Sequence, residues 1–229
     1  MKIPALSFSS WELFKQCPKQ YYHLKVVKDI PYVQGPEAAA GDVIHQAIDA
    51  ALAGGQPIPF GSTAHEYAPV VEAWRAKPGQ LFSEWKFALR ADGTPTNWFD
   101  RTKVALGAID TFKIDGSVAK CVDWKAGTSK NAVRYAKPEQ LDIAALAIMT
   151  AHPQVNEVHG RIVFLHHGEV VPPNHPHLNT RDQLPALRRT WLIERPAEVQ
   201  AVADSGKWEP KPSKLCGWCS VKSCPHRPA

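Results

Sequence analysis

The sequence predicts a mixed α/β domain: a central sheet flanked by helices. Three observations carry that prediction. Segments of helical and strand periodicity follow one another as helices, three strands, helix, strand pair and helix. A turn signal, Asp115-Gly116, joins two of the strands as a hairpin. Hydrophobic residues make up 44% of the 229 and charged residues 21%, enough apolar surface to bury a core.

The elements follow in order. Ser7 to Tyr22 reads as a polar start and a helix that Ser9 or Ser10 caps, with Glu12 three residues after Ser9 as in a capping box; the run ends near Cys17-Pro18 and Tyr21-Tyr22 follows. Pro36 to Leu52 is a second helix. Its apolar Ile44, Ala47, Ile48, Ala51 and Leu52 recur at helical spacing, and Gly54-Gly55 closes it. A short helix over Ala64 to Arg75 precedes the Pro78-Gly79 turn. Leu81 to Arg90, Val104 to Ile114 and Val118 to Lys125 are strands. Pro138 to Thr150 is a helix opened by proline and stopped before His152-Pro153. Val158 to His166 and Glu169 to Val171 form a hairpin around Gly168, and a long helix over Arg181 to Asp204 leads into a cysteine-rich tail. Residues 1–80 thus form a helical part, 81–172 a sheet core, and 173–229 the last helix and tail of one domain.

The net charge of +5 and the pI of 8.9 suit a polyanionic partner without requiring one. No apolar run approaches the roughly 18–20 residues that cross a bilayer, and Met1 to Leu6 lacks the apolar stretch of a secretory signal. The expectation is a cytoplasmic protein without a membrane partner.

Strand parity singles out a group of charged residues. Val104, Leu106, Ala108, Asp110, Phe112 and Ile114 share one face, so Asp110 lies on an apolar face and needs a compensating cation or donor. Asp123 and Lys125 share a face of the next strand, about 7 Å apart. Two carboxylates and an ammonium at the end of a sheet suit Mg²⁺ or Mn²⁺, with the carbonyl of Trp124 as a further oxygen ligand. Lys125 then orients or deprotonates water, or neutralises charge on a phosphate. An Asp–Lys ion pair in a surface hairpin is the structural alternative.

The motifs His45 in Gly41-Asp42-Val43-Ile44-His45, Asp110 in Gly107-Ala108-Ile109-Asp110, Asp123-Trp124-Lys125 and Gln140-Leu141 stand in this order. The chain in this respect resembles the RecB-like branch of the PD-(D/E)XK nucleases, which includes nucleases of bacterial recombination complexes, CRISPR-adaptation nucleases and phage exonucleases. The resemblance runs from Ser7 to Pro225. It implies a restriction-endonuclease-like core, with His45, Asp110 and Asp123 as metal ligands and Lys125 as the catalytic lysine. Glu84 matches a common acidic position on the preceding strand and is a further ligand or substrate contact. The family's Gln-x-x-x-Tyr is broken here, because Ala144 follows Gln140; the aromatic role is vacant or falls to Tyr135.

Cys216, Cys219 and Cys224 form a C-x₂-C-x₄-C series that needs a fourth ligand. His226 would complete a Cys₃His zinc site, and Cys17 would complete a Cys₄ site joining the two ends of the chain. The resembled branch carries one cysteine before its core and three after it around a [4Fe–4S] cluster, which implies Cys17, Cys216, Cys219 and Cys224 as such a staple. Structural zinc is the alternative. Cys121 reads as a buried core thiol.

The segment Ala126 to Lys137 reads as a loop. Lys130, Arg134 and Lys137 there suit phosphates and Tyr135 a base, alongside Glu84 and Gln140 as substrate contacts. No element reads as a base-specific recognition helix. The resemblance therefore implies a metal-dependent DNA exonuclease acting on ends or single strands, in phage or bacterial replication and recombination and among the proteins of those processes. The alternative is a DNA-binding recombination accessory protein that keeps the scaffold with little catalysis.

Overall fold

The structure, a computed structural model, describes residues 1–31 and 33–228, the side chain of Lys130 excepted. In chain order the helices are α1 (Phe8–Gln16), α2 (Pro18–Tyr21), α3 (Pro36–Gly54), α4 (Ala68–Arg75), α5 (Lys130–Arg134), α6 (Gln140–Ala151), α7 (Leu184–Arg188) and α8 (Arg195–Ser205). The strands are β1 (Gln80–Arg90), β2 (Lys103–Asp115), β3 (Val118–Lys125), β4 (Glu157–Phe164), β5 (Glu169–Val171) and β6 (His177–Thr180).

The chain divides into two units. Met1–Val33, Ala88–Gly107 and Arg188–Ala229 form the first; Gln34–Phe87 and Ala108–Leu187 form the second. The sheet runs in the order β1-β2-β3-β4-β5, with β6 also on β4. β2 and β3 are antiparallel around Gly116, whose φ of 58° suits a residue without Cβ in a tight turn. β3 and β4 are parallel, from Val118↔Glu157 to Lys125↔Phe164, so their connection has to cross over, and α6 is that crossover. β5 and β6 return antiparallel to β4, which makes the sheet mixed.

In the second unit both faces of the sheet are covered. α3 and α4 bring Ile44, Ile48, Leu52, Val71 and Trp74 onto Val122 and Trp124. On β3 these two residues alternate with Cys121 and Asp123, which point to the other face. There a Cβ on Gly160 would lie 3.0 Å from Leu141 Cδ1 and 3.2 Å from Cys121 Sγ, so this glycine lets α6 close onto β4. Arg181 finishes α6 by donating to the carbonyls of Met149 and His152, groups that a helix end leaves unpaired, and to Val155 in the turn beyond. Lys113 does the same for α4 through the carbonyls of Arg75 and Lys77.

In the first unit Leu6 is fully buried and bridges Ala105, with Leu6 N–H donating to Val104 at 2.8 Å. Aromatic rings fill its core: Phe14 meets Trp11 and Tyr21, and Trp208 stacks on Tyr21. The Arg195 guanidinium lies 3.8 Å over Trp191.

Several sequence expectations need correction. Ser7, not Ser9 or Ser10, caps α1, in a reciprocal bond pair with Ser10. The helix of Arg181 to Asp204 is interrupted: a 3₁₀ turn and α7 give way to a wide π-type turn over Arg189–Glu194, and only then does α8 begin. Pro196 has no N–H for the carbonyl four residues earlier, which favours that widening. The predicted loop of Ala126 to Lys137 contains α5, and β6 had not been expected. Among the described residues no helix is long and apolar enough to cross a membrane.

Candidate metal centre and cysteine cavity

The site lies in the second unit, where α3 meets the interior of β1 and β2 and the last residues of β3. α3 starts at Pro36 and stops at Gly55, whose φ of 65° ends the helix in the left-handed region. Its apolar stripe is buried on β3. Beside that stripe runs a polar one, Asp42, His45, Gln46 and Asp49, at positions i, i+3, i+4 and i+7. These four, with Glu84 and Asp110, line a cleft of about 340 Å³. His45 Nδ1 lies 3.7 Å from Asp110 Oδ2. One ligand atom from each of His45, Glu84 and Asp110 falls within 4.8 Å of the other two. An imidazole nitrogen and two carboxylate oxygens so grouped are of the ligand type that divalent cations take.

Asp110 sits just past Thr111↔Val122, the last β2–β3 pair of that register. Its Oδ2 accepts the backbone N–H of Trp124 at 2.8 Å, and Trp124 Nε1 donates to Thr111 Oγ1 at 3.0 Å. Burial, and after it the Asp123 carboxylate, push the Asp110 carboxyl up to about 7; Lys125 and the Trp124 N–H pull the other way. Asp123 Oδ2 takes the Lys125 ammonium at 2.7 Å and the Gln140 amide at 3.2 Å. Burial alone would pull the Lys125 pKa down, but Asp123 and Asp110 outweigh it, and the net direction is up. His45 is shifted down by burial and then by Lys125, against Asp123, Asp42 and a hydrogen bond with the Trp124 backbone. It is therefore neutral at neutral pH, the form that ligates metal. Glu84 is raised by burial and by Asp49. Every one of these shifts except that of Lys125 disfavours a charged form, and burial is the first cause of each.

Glu84 reaches this group through a kink in β1. Its φ of 46° lies in the left-handed region, costly for a non-glycine residue. Strand parity would put Phe82 and Trp85 on opposite faces, yet both rings meet Phe112, at 4.5 and 5.5 Å. The residue at positive φ breaks the alternation, as a bulge does, and turns Glu84 toward α3.

The structure thus brings His45, Glu84, Asp110, Asp123, Lys125 and Gln140 together, with Trp124 joined through its backbone. Arg134 and Tyr135 are not tied to this group by any described contact; Tyr135 is 69% exposed beneath the Arg134 guanidinium at 5.7 Å. The Lys130 side chain lies outside the described residues. Ala144 is buried in α6, where its size suits the packing. Sequence reasoning missed Asp42, Gln46 and Asp49, although their spacing with His45 was a readable signal. It left Glu84 as either a ligand or a substrate contact, because the kink that aims it has no local signature.

In the first unit Cys17, Cys216, Cys219, Cys224 and His226 line one cavity, and all four cysteines are free thiols. Backbone N–H groups of Lys211 and Ser213 point at the sulfurs of Cys17 and Cys216, at 3.5 and 3.3 Å. Among the described residues, no three of these ligand atoms come within 4.8 Å of one another. Cys121 is in the second unit, buried, with its thiol pushed up to about 12 by that burial.

A model of the PD-(D/E)XK nuclease superfamily matches residues 62–225. The chain belongs to that superfamily. The matched span holds Glu84, Asp110, the Asp123-Trp124-Lys125 triplet and the three C-terminal cysteines; His45 and Cys17 precede it. No curated protein matches the chain in sequence. Among solved structures, a Eubacterium rectale protein described as "Putative exonuclease" superposes with a TM-score of 0.50 at 12% identity, covering 98% of this chain and 90% of its own. At that identity the likeness concerns the fold alone. The crystal structure of SSO0001 has a TM-score of 0.46 at 13% identity, covering 96% of this chain and 86% of its own. Membership of a PD-(D/E)XK nuclease superfamily assigns phosphodiester hydrolysis as the reaction class and a divalent metal as its requirement.

Proposed function

We propose that this chain is a RecB-like DNA exonuclease acting on ends or single strands in phage or bacterial replication and recombination. One observation carries the reading: His45, Glu84 and Asp110 converge within 4.8 Å in the unit that also pairs Asp123 with Lys125. An imidazole with carboxylate oxygens suits Mn²⁺ or Mg²⁺. Such an ion, when bound, supplies a water of lowered pKa and offsets charge developing on the phosphate.

The chain's own residues divide the remaining work. Neutral His45 and ionised Asp110, Glu84 and Asp123 hold the ion, and the Trp124 carbonyl is an additional oxygen on the same stretch of β3. The Trp124 N–H holds one oxygen of Asp110 and Gln140 holds Asp123, so both carboxylates keep their orientation. Lys125 keeps its proton against two carboxylates. It therefore acts as a cation that stabilises negative charge on the scissile phosphate, not as the base that takes a proton from water.

The test compares wild type with Asp123→Ala on labelled DNA in Mn²⁺, Mg²⁺ and EDTA. The wild type should degrade DNA only with metal, and the variant should lose at least about a hundredfold in rate. Equal, metal-independent behaviour of the two would support the DNA-binding accessory alternative.

We also propose that Cys17, Cys216, Cys219 and Cys224 hold a [4Fe–4S] cluster that ties the ends of the first unit together. Zinc at about 2.3 Å from each sulfur sets thiolates roughly 3.8 Å apart. The N–H groups directed at two of these thiols suit a cluster stabilised by hydrogen bonds to sulfur. Anaerobic purification should yield a brown protein containing iron; zinc at one per chain without iron would replace the cluster with a structural zinc.

A further inference from the structure

We infer that the cysteine-rich tail is a second contact for single-stranded nucleic acid, in which Trp218 stacks on an unpaired base and Lys214 and Lys222 meet the flanking phosphates. This inference deepens the nuclease reading and rests on it for the class of polymer.

The tail contains two tryptophans treated in opposite ways. Trp208 is packed against Tyr21 and Tyr22, with ring centroids 6.0 and 5.2 Å away. Trp218 is 83% exposed, and Leu215 beside it 51%. An indole left in water forgoes the burial that favours large aromatic side chains inside. Its backbone is nevertheless well anchored. Ser213 caps the 3₁₀ turn Lys214–Trp218 reciprocally with Cys216, and Val221 is buried two residues after Cys219. Cys216 and Cys219 on either side of Trp218 line the cysteine cavity. The segment thus holds a large π surface outward from an anchored base, so little ordering entropy remains to be lost when a ligand stacks on it.

Charge identifies the ligand. Between Lys207 and Pro228 stand four lysines and one arginine against a single glutamate, a net +4 of the chain's +5. Lys214 and Lys222 are exposed and lie four residues before and after Trp218. A cationic strip around an outward indole fits a strand with accessible base faces and phosphates, whereas a duplex hides those faces. An acidic protein surface would match the charge but not the need for a planar partner.

The experiment measures binding of the full chain to a fluorescein-labelled oligothymidylate by anisotropy in EDTA, where no cleavage occurs. Trp218→Ala should weaken binding at least about fivefold and Trp218→Phe much less, because a ring is retained. Lys214→Ala and Lys222→Ala should each lower the slope of log affinity against log salt by about 0.7. The melting temperature and metal content of Trp218→Ala should equal those of wild type. Unchanged oligonucleotide affinity in Trp218→Ala would overturn the inference, and so would a fall in its melting temperature, which would mark a packing role. Loss of self-association in sedimentation with unchanged binding would also overturn it, in favour of an interface between copies. Because binding is read without metal, failure of Asp123 to matter for cleavage remains a separate result.

Discussion

Replacing Asp110 by asparagine should make the metal-free protein more stable while abolishing metal binding. The Asp110 carboxyl is pushed from 3.8 to about 7, chiefly by burial and by Asp123. Between those values the native state holds a proton that the unfolded chain has released. The stability of the metal-free wild type therefore falls as pH rises from about 4 to 7 and is level above. The full cost at pH 8 is at most about 4 kcal/mol. Asparagine carries no charge at any pH, and its carbonyl can still accept the Trp124 N–H. Asp110→Asn should therefore match wild type near pH 4 and exceed it at pH 8 by about 2 kcal/mol or more, roughly 4–8 °C in Tm for a chain of this size. Adding Mn²⁺ reverses the order: at a hundred times Kd it should stabilise wild type by about 2.7 kcal/mol and leave the variant unmoved. Thermal melts at pH 4 and pH 8, with EDTA or Mn²⁺, read all four corners. A variant less stable than wild type at pH 8 in EDTA, or one that Mn²⁺ stabilises equally, would refute the reasoning and mark Asp110 as a structural ion-pair partner.

Three further outcomes follow from the geometry. Glu84→Gln should weaken Mn²⁺ binding by about tenfold or more by calorimetry, without lowering metal-free stability; an unchanged Kd would remove Glu84 from the ligand set. Mn²⁺ affinity of the wild type should rise with pH up to about 7 and then level off, because a protonated Asp110 cannot ligate; a flat profile from pH 5 to 8 would contradict this. Gly160→Ala places a methyl 3.0 and 3.1 Å from Leu141 Cδ1 and Cβ, the second of which cannot move without α6. It should cost about 1–3 kcal/mol and reduce nuclease activity too, since Gln140 at the start of that helix holds Asp123; full activity with normal Tm would show that α6 has slack.

Most of the architecture was legible before the structure because the pattern of burial is local. β3 was bounded at both ends by the Gly116 turn and by Lys125, and α3 by Pro36 and a glycine pair. Parity placed Asp123 and Lys125 on one face of β3, and the 2.7 Å ion pair shows them together. The interrupted run from Arg181 to Ser205 was not legible as a length, because its turns differ in width while remaining helical in pattern. β6 was missed because its four residues owe their strand conformation to β4, not to their own alternation.

The sequence by itself determined the order of the longer elements, the superfamily-type motifs, and the residue types that a metal and a cysteine site require. Tertiary structure alone decided which carboxylates converge. Among the described residues Glu84 joins His45 and Asp110 within 4.8 Å, because a left-handed residue in β1 breaks strand parity there. Asp110 and Asp123, seen from their motifs, looked like equivalent ligands. In the fold one accepts a backbone N–H and is pushed toward neutrality, while the other holds Lys125 and Gln140. That difference depends on burial and on neighbours contributed by α3, α6 and three strands, and no local stretch of sequence encodes it.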